Sequence, residues 1–360
     1  MSETPGRVVG PVLVVGAGLL GTSLGLACRR AGLDVLLQDV SAEHLRTASG
    51  MGAGRPVTDD DRPGLVVVAV PPDHVGEAVV AALEAHPTAV VTDVGSVKAL
   101  PLATVRDAGP AGLPRYVGSH PMAGSERSGP LAATASLFDG RPWAVTPHAD
   151  ADPDCVESVE EMVRLCGGTV VWLTPEEHDR AVARTSHVPH LLSSLAASAL
   201  ATGPANHLAL SGQGVRDVTR VAGGDPRLYS QIVGANASAV LDLLGEVRAG
   251  LDALMAAVAD GDRAALEGAL ARGVEGTRAI PAKHGGPARP MRTVYVSVPD
   301  HPGELARLFS DAVASEVNIE DIRIDHDPAR PVGLVELVVE DSRAEHLLGS
   351  LESRGWQTHR

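Results

Sequence analysis

Short runs of aliphatic and β-branched residues alternate with turn signals and helical stretches from Val8 to about Thr174. Nearly continuous apolar strands that are separated by helices indicate a largely parallel sheet with both faces covered. We therefore predict a doubly wound α/β domain over residues 8–174. The predicted strands are VLVVG at 12–16, VLLQD at 35–39, LVVVAV at 65–70, AVVTDV at 89–94, WAV at 143–145 and TVVWL at 169–173.

The pattern changes after Pro175 to segments rich in Ala and Leu at helical spacing, which begin near Pro or Asp in capping positions. The predicted helical segments are 175–201, 225–260 and 262–280. They indicate an all-α domain over residues 175–282. Its apolar surface around 191–200 and 241–258 exceeds what one helical layer can readily bury, so we expect a symmetric homodimer.

A stretch of turn formers and charge at 283–290, KHGGPARP, separates a third region from the helical one. A strand, a helix opened by Pro302 and Gly303, two strands, a helix and a short strand near Trp356 then follow one another. This βαββαβ order is typical of the ferredoxin-like fold. We predict such a domain over residues 291–360.

Composition and charge narrow the classes of partner. The chain has 30 Lys and Arg against 45 Asp and Glu, a formal net charge of −15, and no basic run. Nucleic acid and anionic membranes are therefore poor candidate partners. The N-terminus lacks the pattern of a signal peptide, and no apolar run approaches the ~18 residues of a membrane span. Because the three cysteines form no CxxC pair, we expect reduced thiols in a soluble cytoplasmic protein.

A glycine-rich turn between the first strand and the first helix indicates a dinucleotide site. Gly16, Gly18 and Gly21 have the G-x-G-x-x-G spacing, and Leu19 lies where the following helix opens onto a pyrophosphate. Asp39 ends the second strand and can accept hydrogen bonds from the ribose hydroxyls, where a 2′-phosphate would be repelled. The pattern predicts a Rossmann-type domain that binds NAD rather than NADP. An ordinary strand-end or helix-capping acid is the alternative interpretation of Asp39.

Two further segments follow later strands, at the sheet edge where ligands of open α/β folds bind. They are TDVGSVK at 92–98 and GSHPMAGSERSG at 118–129. His120 is expected in a loop held by Gly118 and Pro121, near the nicotinamide, and Ser96 can reach the same space. A histidine that titrates near neutrality can remove a hydroxyl proton while a hydride leaves the same carbon, which is a dehydrogenase step. A surface or structural histidine is the alternative.

The segments GAGLLGTSL, DVGSVK, GSHPMAGSE, SHVPH and RDVTRVAGGDP, in this order, resemble the prephenate dehydrogenase family, which includes arogenate and cyclohexadienyl dehydrogenases. The resemblance covers about residues 8–280. It implies NAD-dependent removal of a hydride from C4 of a cyclohexadienol, coupled to loss of carbon dioxide. It also implies that His120 accepts the C4-hydroxyl proton, that Ser96 helps to orient His120 and this hydroxyl, and that Glu126 lies at the substrate entrance.

The resemblance places two more substrate residues in the helical region. Arg220 would hold a substrate carboxylate in a bidentate pair, and His190 would line the pocket. Arg216 and Arg227 complete a cationic cluster, and a salt bridge between Arg220 and Asp217 is the structural alternative. A metal site at His187 and His190 is not expected, because Pro189 lies between them and no carboxylate partner follows. Where the family commonly has Trp after the DP pair, this chain has Tyr229.

The C-terminal segment VSVPDHPGELARLFSDAVASEVNIEDIRI resembles an ACT domain. Such domains pair side by side and bind an amino acid near the D-x-P-G turn, and the resemblance implies tyrosine as an effector. A dimerisation module without a ligand is the alternative.

The sequence favours NAD-dependent oxidative decarboxylation of prephenate to 4-hydroxyphenylpyruvate in tyrosine biosynthesis. Arogenate dehydrogenase, which gives tyrosine directly, is the nearest alternative. A β-hydroxyacid dehydrogenase would need a catalytic Lys on the first long helix after Pro175, where none occurs. An amino-acid-sensing protein with a vestigial enzyme disagrees with the intact set Gly16, Ser96, His120 and Arg220.

Overall fold

The computed structural model of the chain describes residues 10–109, 111–124, 127–280, 290–325 and 332–359. They form two compact units, residues 1–253 and 254–360. The predicted linker at 283–290 lies, apart from Pro290, outside the described residues.

An eight-stranded sheet forms the core of the first unit, in the order β3-β2-β1-β4-β5-β6-β7-β8. Every neighbouring pair is parallel except β6 and β7, which confirms the largely parallel sheet. The short strand β3 was not predicted. The strands are β1 (Val12–Val15), β2 (Val35–Gln38), β3 (Arg55–Pro56), β4 (Leu65–Val68), β5 (Val90–Asp93), β6 (Tyr116–Pro121), β7 (Pro142–Thr146) and β8 (Thr169–Trp172).

Five helices cover the two faces of this sheet. They are α1 (Leu19–Arg30), α2 (Ala42–Gly50), α3 (Val75–Ala85), α4 (Ala99–Ala108) and α5 (Pro153–Leu165). Side chains of β1 alternate between the faces, because successive residues of a strand point to opposite sides. Val12 packs in one buried cluster with Leu24 of α1, and Leu13 packs in another with Val79 of α3.

The helical region begins at the carboxyl end of β8. Thr174 and Glu177 cap the first helix with reciprocal hydrogen bonds, and Pro175 occupies its first position. One π-helical turn, Ala183–His187, joins the first two helices. The helices are α6 (Pro175–Val182), α7 (Val188–Ala201), α8 (Ala205–Leu208), α9 (Gln213–Thr219), α10 (Pro226–Ala235), α11 (Ala237–Ala259) and α12 (Arg263–Arg278).

Two features of this region differ from the sequence prediction. The expected helix over 225–260 is interrupted at Asn236, whose side chain is buried and makes hydrogen bonds outside the helix. Helices α8 and α9 lie in a stretch without predicted structure. Both are short, so too few turns repeat for a helical period to be read from the sequence.

The second unit contains a four-stranded antiparallel sheet with the order β10-β11-β9-β12. Its elements follow the β-α-β-β-α-β order predicted above: β9 (Met291–Pro299), α13 (Glu304–Val313), β10 (Asp321–Asp325), β11 (Val332–Glu340), α14 (Asp341–Ser353) and β12 (Gln357–His359). Val296, Leu308 and Leu347 lie in its buried core. Across the described part of the chain, no helix combines the length and apolarity that a membrane span needs.

Candidate active site

The glycine-rich turn is as tight as its sequence predicts. Gly16 has φ of +103°, and a Cβ atom there would lie 2.4 Å from the carbonyl oxygen of Ala69. A Cβ atom on Gly21 would lie 1.8 Å from the carbonyl oxygen of Gly16, so strand and helix pack closely. A Cβ atom on Gly18 would meet nothing within 4 Å, and the first turn of α1 carries no acidic side chain. The positive end of α1 is therefore open to an anionic ligand.

Asp39 connects the end of β2 to this turn. Its carboxylate accepts the N–H of Ala17 at 2.5 Å and the N–H of Ser41 at 2.6 Å. An ionised carboxylate offers about four acceptor positions, so the partly buried Asp39 retains capacity for two hydroxyl donors. Ser41, and not Asp39, is the N-cap of α2, since its side chain accepts the N–H of His44. The helix-capping alternative for Asp39 is therefore wrong.

Ser96 lies just beyond the carboxyl end of β5. With Pro72, Gly95, Leu100 and Ala235, it lines a cleft of about 200 Å³. The structure shows no hydrogen bond between Ser96 and His120, and the ring of His120 bonds to a different side chain.

His120 lies on a strand and not in the loop that the sequence predicts. β6 continues to Pro121 because it pairs antiparallel with β7, with His120 opposite Ala144. The strand backbone therefore fixes the position of this partly buried side chain more tightly than a loop would. The expectation of a loop was wrong because the pairing partner lies more than twenty residues further along the chain.

The rings of His120 and His178 meet in a hydrogen-bonded chain that ends on Asp179. Nδ1 of His120 lies 2.9 Å from Nε2 of His178, and Nδ1 of His178 lies 2.8 Å from Oδ1 of Asp179. Burial lowers the pKa of His120 well below its ordinary value, and His178 and Lys98 lower it further. Burial also lowers the pKa of His178, although Asp179 opposes this shift. Both rings are therefore neutral near pH 7.

A second buried network adjoins His120 through the carbonyl oxygen of Ser119. The side chain of Lys98 forms an ion pair with Asp93 and donates to the carbonyl oxygen of Ser119 at 2.6 Å. The hydroxyl of Tyr116 donates to the other oxygen of Asp93 at 2.8 Å. Burial lowers the pKa of Lys98, while Asp93 raises it. A charged pair with these additional hydrogen bonds can be tolerated in the interior, and it orders the strand that carries His120.

The helical region adds His187 and His190, which have different surroundings. The side chain of Asn236 donates to the carbonyl oxygen of Asp179 at 2.8 Å and lies 3.1 Å from Nδ1 of His187. Burial lowers the pKa of His187 to about 4. His190 instead stacks on Tyr229 with ring centroids 3.4 Å apart. Nδ1 of His190 is buried and has no hydrogen-bond partner among the described residues.

Arg220 begins a short 3₁₀ turn after α9, and its side chain is exposed. Among the described residues it forms no ion pair with Asp217, whose carboxylate accepts a hydrogen bond from Gln213 at 2.9 Å. The predicted residue Glu126 lies outside the described residues.

Comparison with known proteins is in agreement with this geometry. Residues 24–172 match the family model of the prephenate dehydrogenase nucleotide-binding domain, and residues 174–272 match that of the prephenate dehydrogenase dimerization domain. A protein of Streptomyces niveus named "probable prephenate dehydrogenase" is 37% identical over 358 residues, which are 96% of this chain and 98% of that protein. The chain belongs to the prephenate dehydrogenase family.

Solved structures of this family have the same fold over three quarters of the chain. The crystal structure of prephenate dehydrogenase from A. aeolicus in complex with hydroxyphenyl propionate and NAD+ has a TM-score of 0.68 and 26% identity, and covers 75% of this chain and 97% of that one. Arogenate dehydrogenase from Synechocystis has a TM-score of 0.62 and 26% identity, and covers 74% of this chain and 98% of that one. The Rossmann-type sheet and the following helical dimerisation domain are thereby confirmed.

Sequence reasoning missed His178 and Asp179 in this member of the prephenate dehydrogenase family. The signal that could have found them is the buried face of α6, where Pro175, His178, Asp179 and Val182 have the i, i+3, i+4, i+7 spacing of a core-facing stripe. Two titratable residues on such a stripe need buried polar partners.

Proposed function

We propose that this chain catalyses the NAD-dependent oxidative decarboxylation of prephenate to 4-hydroxyphenylpyruvate. The observation that carries the proposal is His120 at the carboxyl edge of the sheet, held through Nδ1 by His178 at 2.9 Å. A neutral imidazole held in this way can accept a proton through its other nitrogen. The family relationship supports prephenate as the substrate.

The residues around the glycine-rich turn fit a dinucleotide. The open N-terminus of α1 from Gly18 onward, with Leu19 as its first residue, suits the pyrophosphate. The remaining acceptor positions of Asp39 suit the ribose hydroxyls and disfavour a 2′-phosphate. NAD, when bound, supplies the acceptor for the hydride that leaves C4 of the substrate. The NAD+ in the A. aeolicus relative supports this assignment.

His120 accepts the C4-hydroxyl proton as the hydride leaves, and carbon dioxide is lost from the ring. The aromatic product carries a phenol, so the atoms balance only when the proton returns to this oxygen. A base of lowered pKa suits such a transient role, because it releases the proton readily. Ser96 lines the cleft beyond the carboxyl end of β5 and orients the substrate hydroxyl.

Three residues complete the substrate site. The guanidinium of Arg220 is exposed and not paired with Asp217, which leaves its donors available for a carboxylate. His190 lines the pocket, as the family resemblance implies, and its buried Nδ1 has no hydrogen-bond partner among the described residues. Glu126 is outside the described residues, and its role at the substrate entrance rests on the family resemblance alone.

The chain has three functional regions: residues 8–174 bind NAD, residues 175–282 complete the substrate site and dimerise, and residues 291–360 form an ACT domain. The βαββαβ order of the last region supports the ACT assignment. The resemblance to ACT domains is the ground for tyrosine as its effector. A homodimer is supported by the match to a dimerization-domain model. The free thiols of Cys28, Cys155 and Cys166 support a cytoplasmic enzyme.

Arogenate is the second candidate substrate. It differs from prephenate only in the side chain, which is amino instead of keto, and the Synechocystis relative is an arogenate dehydrogenase. The deciding experiment measures NADH absorbance with prephenate and arogenate side by side. We expect turnover with prephenate to exceed turnover with arogenate. Preference for arogenate would select the second candidate, and no NADH with either would refute both.

A further inference from the structure

The geometry points to His178 as a positioning residue: held by Asp179, it keeps His120 in the tautomer with a bare Nε2, which is then the atom that accepts the substrate proton. This inference deepens the proposed function and rests on it for the identity of the proton donor. The tautomer itself follows from contacts within the protein.

The argument starts at Asp179, whose carboxylate accepts three hydrogen bonds. The backbone N–H of Lys98 donates to Oδ1 at 2.8 Å, and that of Ala99 donates to Oδ2 at 2.9 Å. Both donors lie at the N-terminus of α4, where a negative charge is stabilised. Both oxygens therefore act as acceptors, so the hydrogen shared with His178 belongs to Nδ1 of the histidine.

The tautomer of His178 determines the tautomer of His120. A neutral imidazole with a proton on Nδ1 has a lone pair on Nε2. Because Nε2 of His178 lies 2.9 Å from Nδ1 of His120, the hydrogen between the rings belongs to Nδ1 of His120. Nε2 of His120 is then unprotonated, as a base must be. Without Asp179, the opposite tautomer of His178 would donate to His120 and leave its Nε2 protonated.

Other charged and titratable groups near His120 do not change the protons assigned to the rings of His120 and His178. Lys98 is paired with Asp93, which also accepts from Tyr116. Asn236 holds the backbone of α6 at Asp179. Its side-chain amide donates one hydrogen to the carbonyl oxygen of Asp179 and the other to Nδ1 of His187. His187 therefore accepts at Nδ1, and both ring nitrogens of His178 already have His120 and Asp179 as partners.

The hydrogen-bonded series of His120, His178 and Asp179 can also carry positive charge during the reaction. When Nε2 of His120 takes the hydroxyl proton, its Nδ1 proton can move to Nε2 of His178. The positive charge then lies beside the Asp179 carboxylate, and both protons move back when the phenol forms. The protein ends with the protons that it began with, and the exchange needs no proton from solvent.

Nitrogen-15 NMR of the histidine side chains tests the tautomer without any substrate. We expect pyridine-type shifts for Nε2 and pyrrole-type shifts for Nδ1 in both His120 and His178 of the wild-type protein. The variants His120→Asn and His178→Gln assign the signals, because each removes one ring. A protonated Nε2 on His120 would overturn the inference even if the enzyme turns over prephenate. The predicted tautomers in a protein inactive towards prephenate and arogenate would overturn only the proposed function.

Two substitutions of similar size test the consequence for catalysis. His178→Gln offers an acceptor for His120, since its amide oxygen can take the place of Nε2 of the ring. His178→Leu removes the acceptor. We expect kcat to fall by about 10²–10³ in the Leu variant and by about tenfold or less in the Gln variant, with KM for NAD nearly unchanged in both. Equal losses in the two variants would indicate a packing role and overturn the inference. If His178→Leu does not fold, the NMR experiment decides alone.

Discussion

Oδ2 of Asp39, at the end of β2, accepts the backbone N–H of Ala17 at 2.5 Å, and Ala17 lies within the glycine-rich turn that follows β1. This hydrogen bond joins the carboxylate that would bind the ribose hydroxyls to the turn that would bind the pyrophosphate. A change at Asp39 should therefore affect both parts of cofactor recognition.

The first prediction concerns cofactor choice. Asp39→Ala should raise KM for NAD by about tenfold and narrow the preference for NAD over NADP, since the ribose loses its acceptor and a 2′-phosphate is no longer repelled. Initial rates with both cofactors measure this. Asp107→Ala, a change to an exposed carboxylate on α4, is the matched control. A wild-type enzyme that prefers NADP would contradict the assignment.

The second prediction concerns the base. His120→Asn should lower kcat by about 10²–10⁴ because the proton acceptor is lost, while the Kd of NAD changes little. Steady-state kinetics and fluorescence titration with NAD measure the two quantities. Turnover near that of the wild type would remove His120 from the role of base.

The third prediction concerns pH. The pKa of His120 lies well below 6.5 mainly because the ring is buried, and the base is active when unprotonated. On acidification, kcat/KM should therefore stay constant through pH 6.5 and fall only at lower pH. Measurements of Tm over the same pH range identify the pH at which the protein begins to unfold. An acid limb centred at or above 6.5, in a protein that remains folded, would be incompatible with this assignment.

The fourth prediction separates substrate binding from structural support at Arg220. Arg220→Ala should mainly raise KM, with a loss of about 2–4 kcal/mol in transition-state stabilisation and little change in Tm. Arg220→Lys should recover only part of the affinity, since an ammonium lacks the planar two-point contact. KM and Tm are measured together for both variants. An Ala variant with lowered Tm and normal KM would leave Arg216 or Arg227 as the carboxylate ligand.

The fifth prediction concerns assembly. Leu195 on α7 and Leu241 on α11 are 65% and 66% exposed, so a partner surface would cover apolar area there. Light scattering should give twice the 37.0 kDa of one chain, and Leu195→Glu combined with Leu241→Glu should give monomers. Leu131→Glu, on an exposed residue between β6 and β7, controls for added charge. A monomeric wild type at micromolar concentration would refute the dimer.

The sequence by itself determined most strands, most helices and the glycine-rich turn. These features follow from local rules: an apolar run makes a buried strand, and the space at Gly16 and Gly21 admits no side chain. The position of Asp39 beside the turn could be predicted from spacing alone, because strand and turn lie within one βαβ unit.

Only the tertiary structure decided how the candidate base is held. His120 and His178 are 58 residues apart, and Asp179 reaches the N-terminus of α4 across 81 residues. The extension of β6 through His120 and the break at Asn236 likewise depend on partners far along the chain. Periodicity reports which face of an element is buried, but it does not report which residue lies opposite. The tautomer of His120 therefore depends on contacts that exist only when the sheet and α6 are packed together.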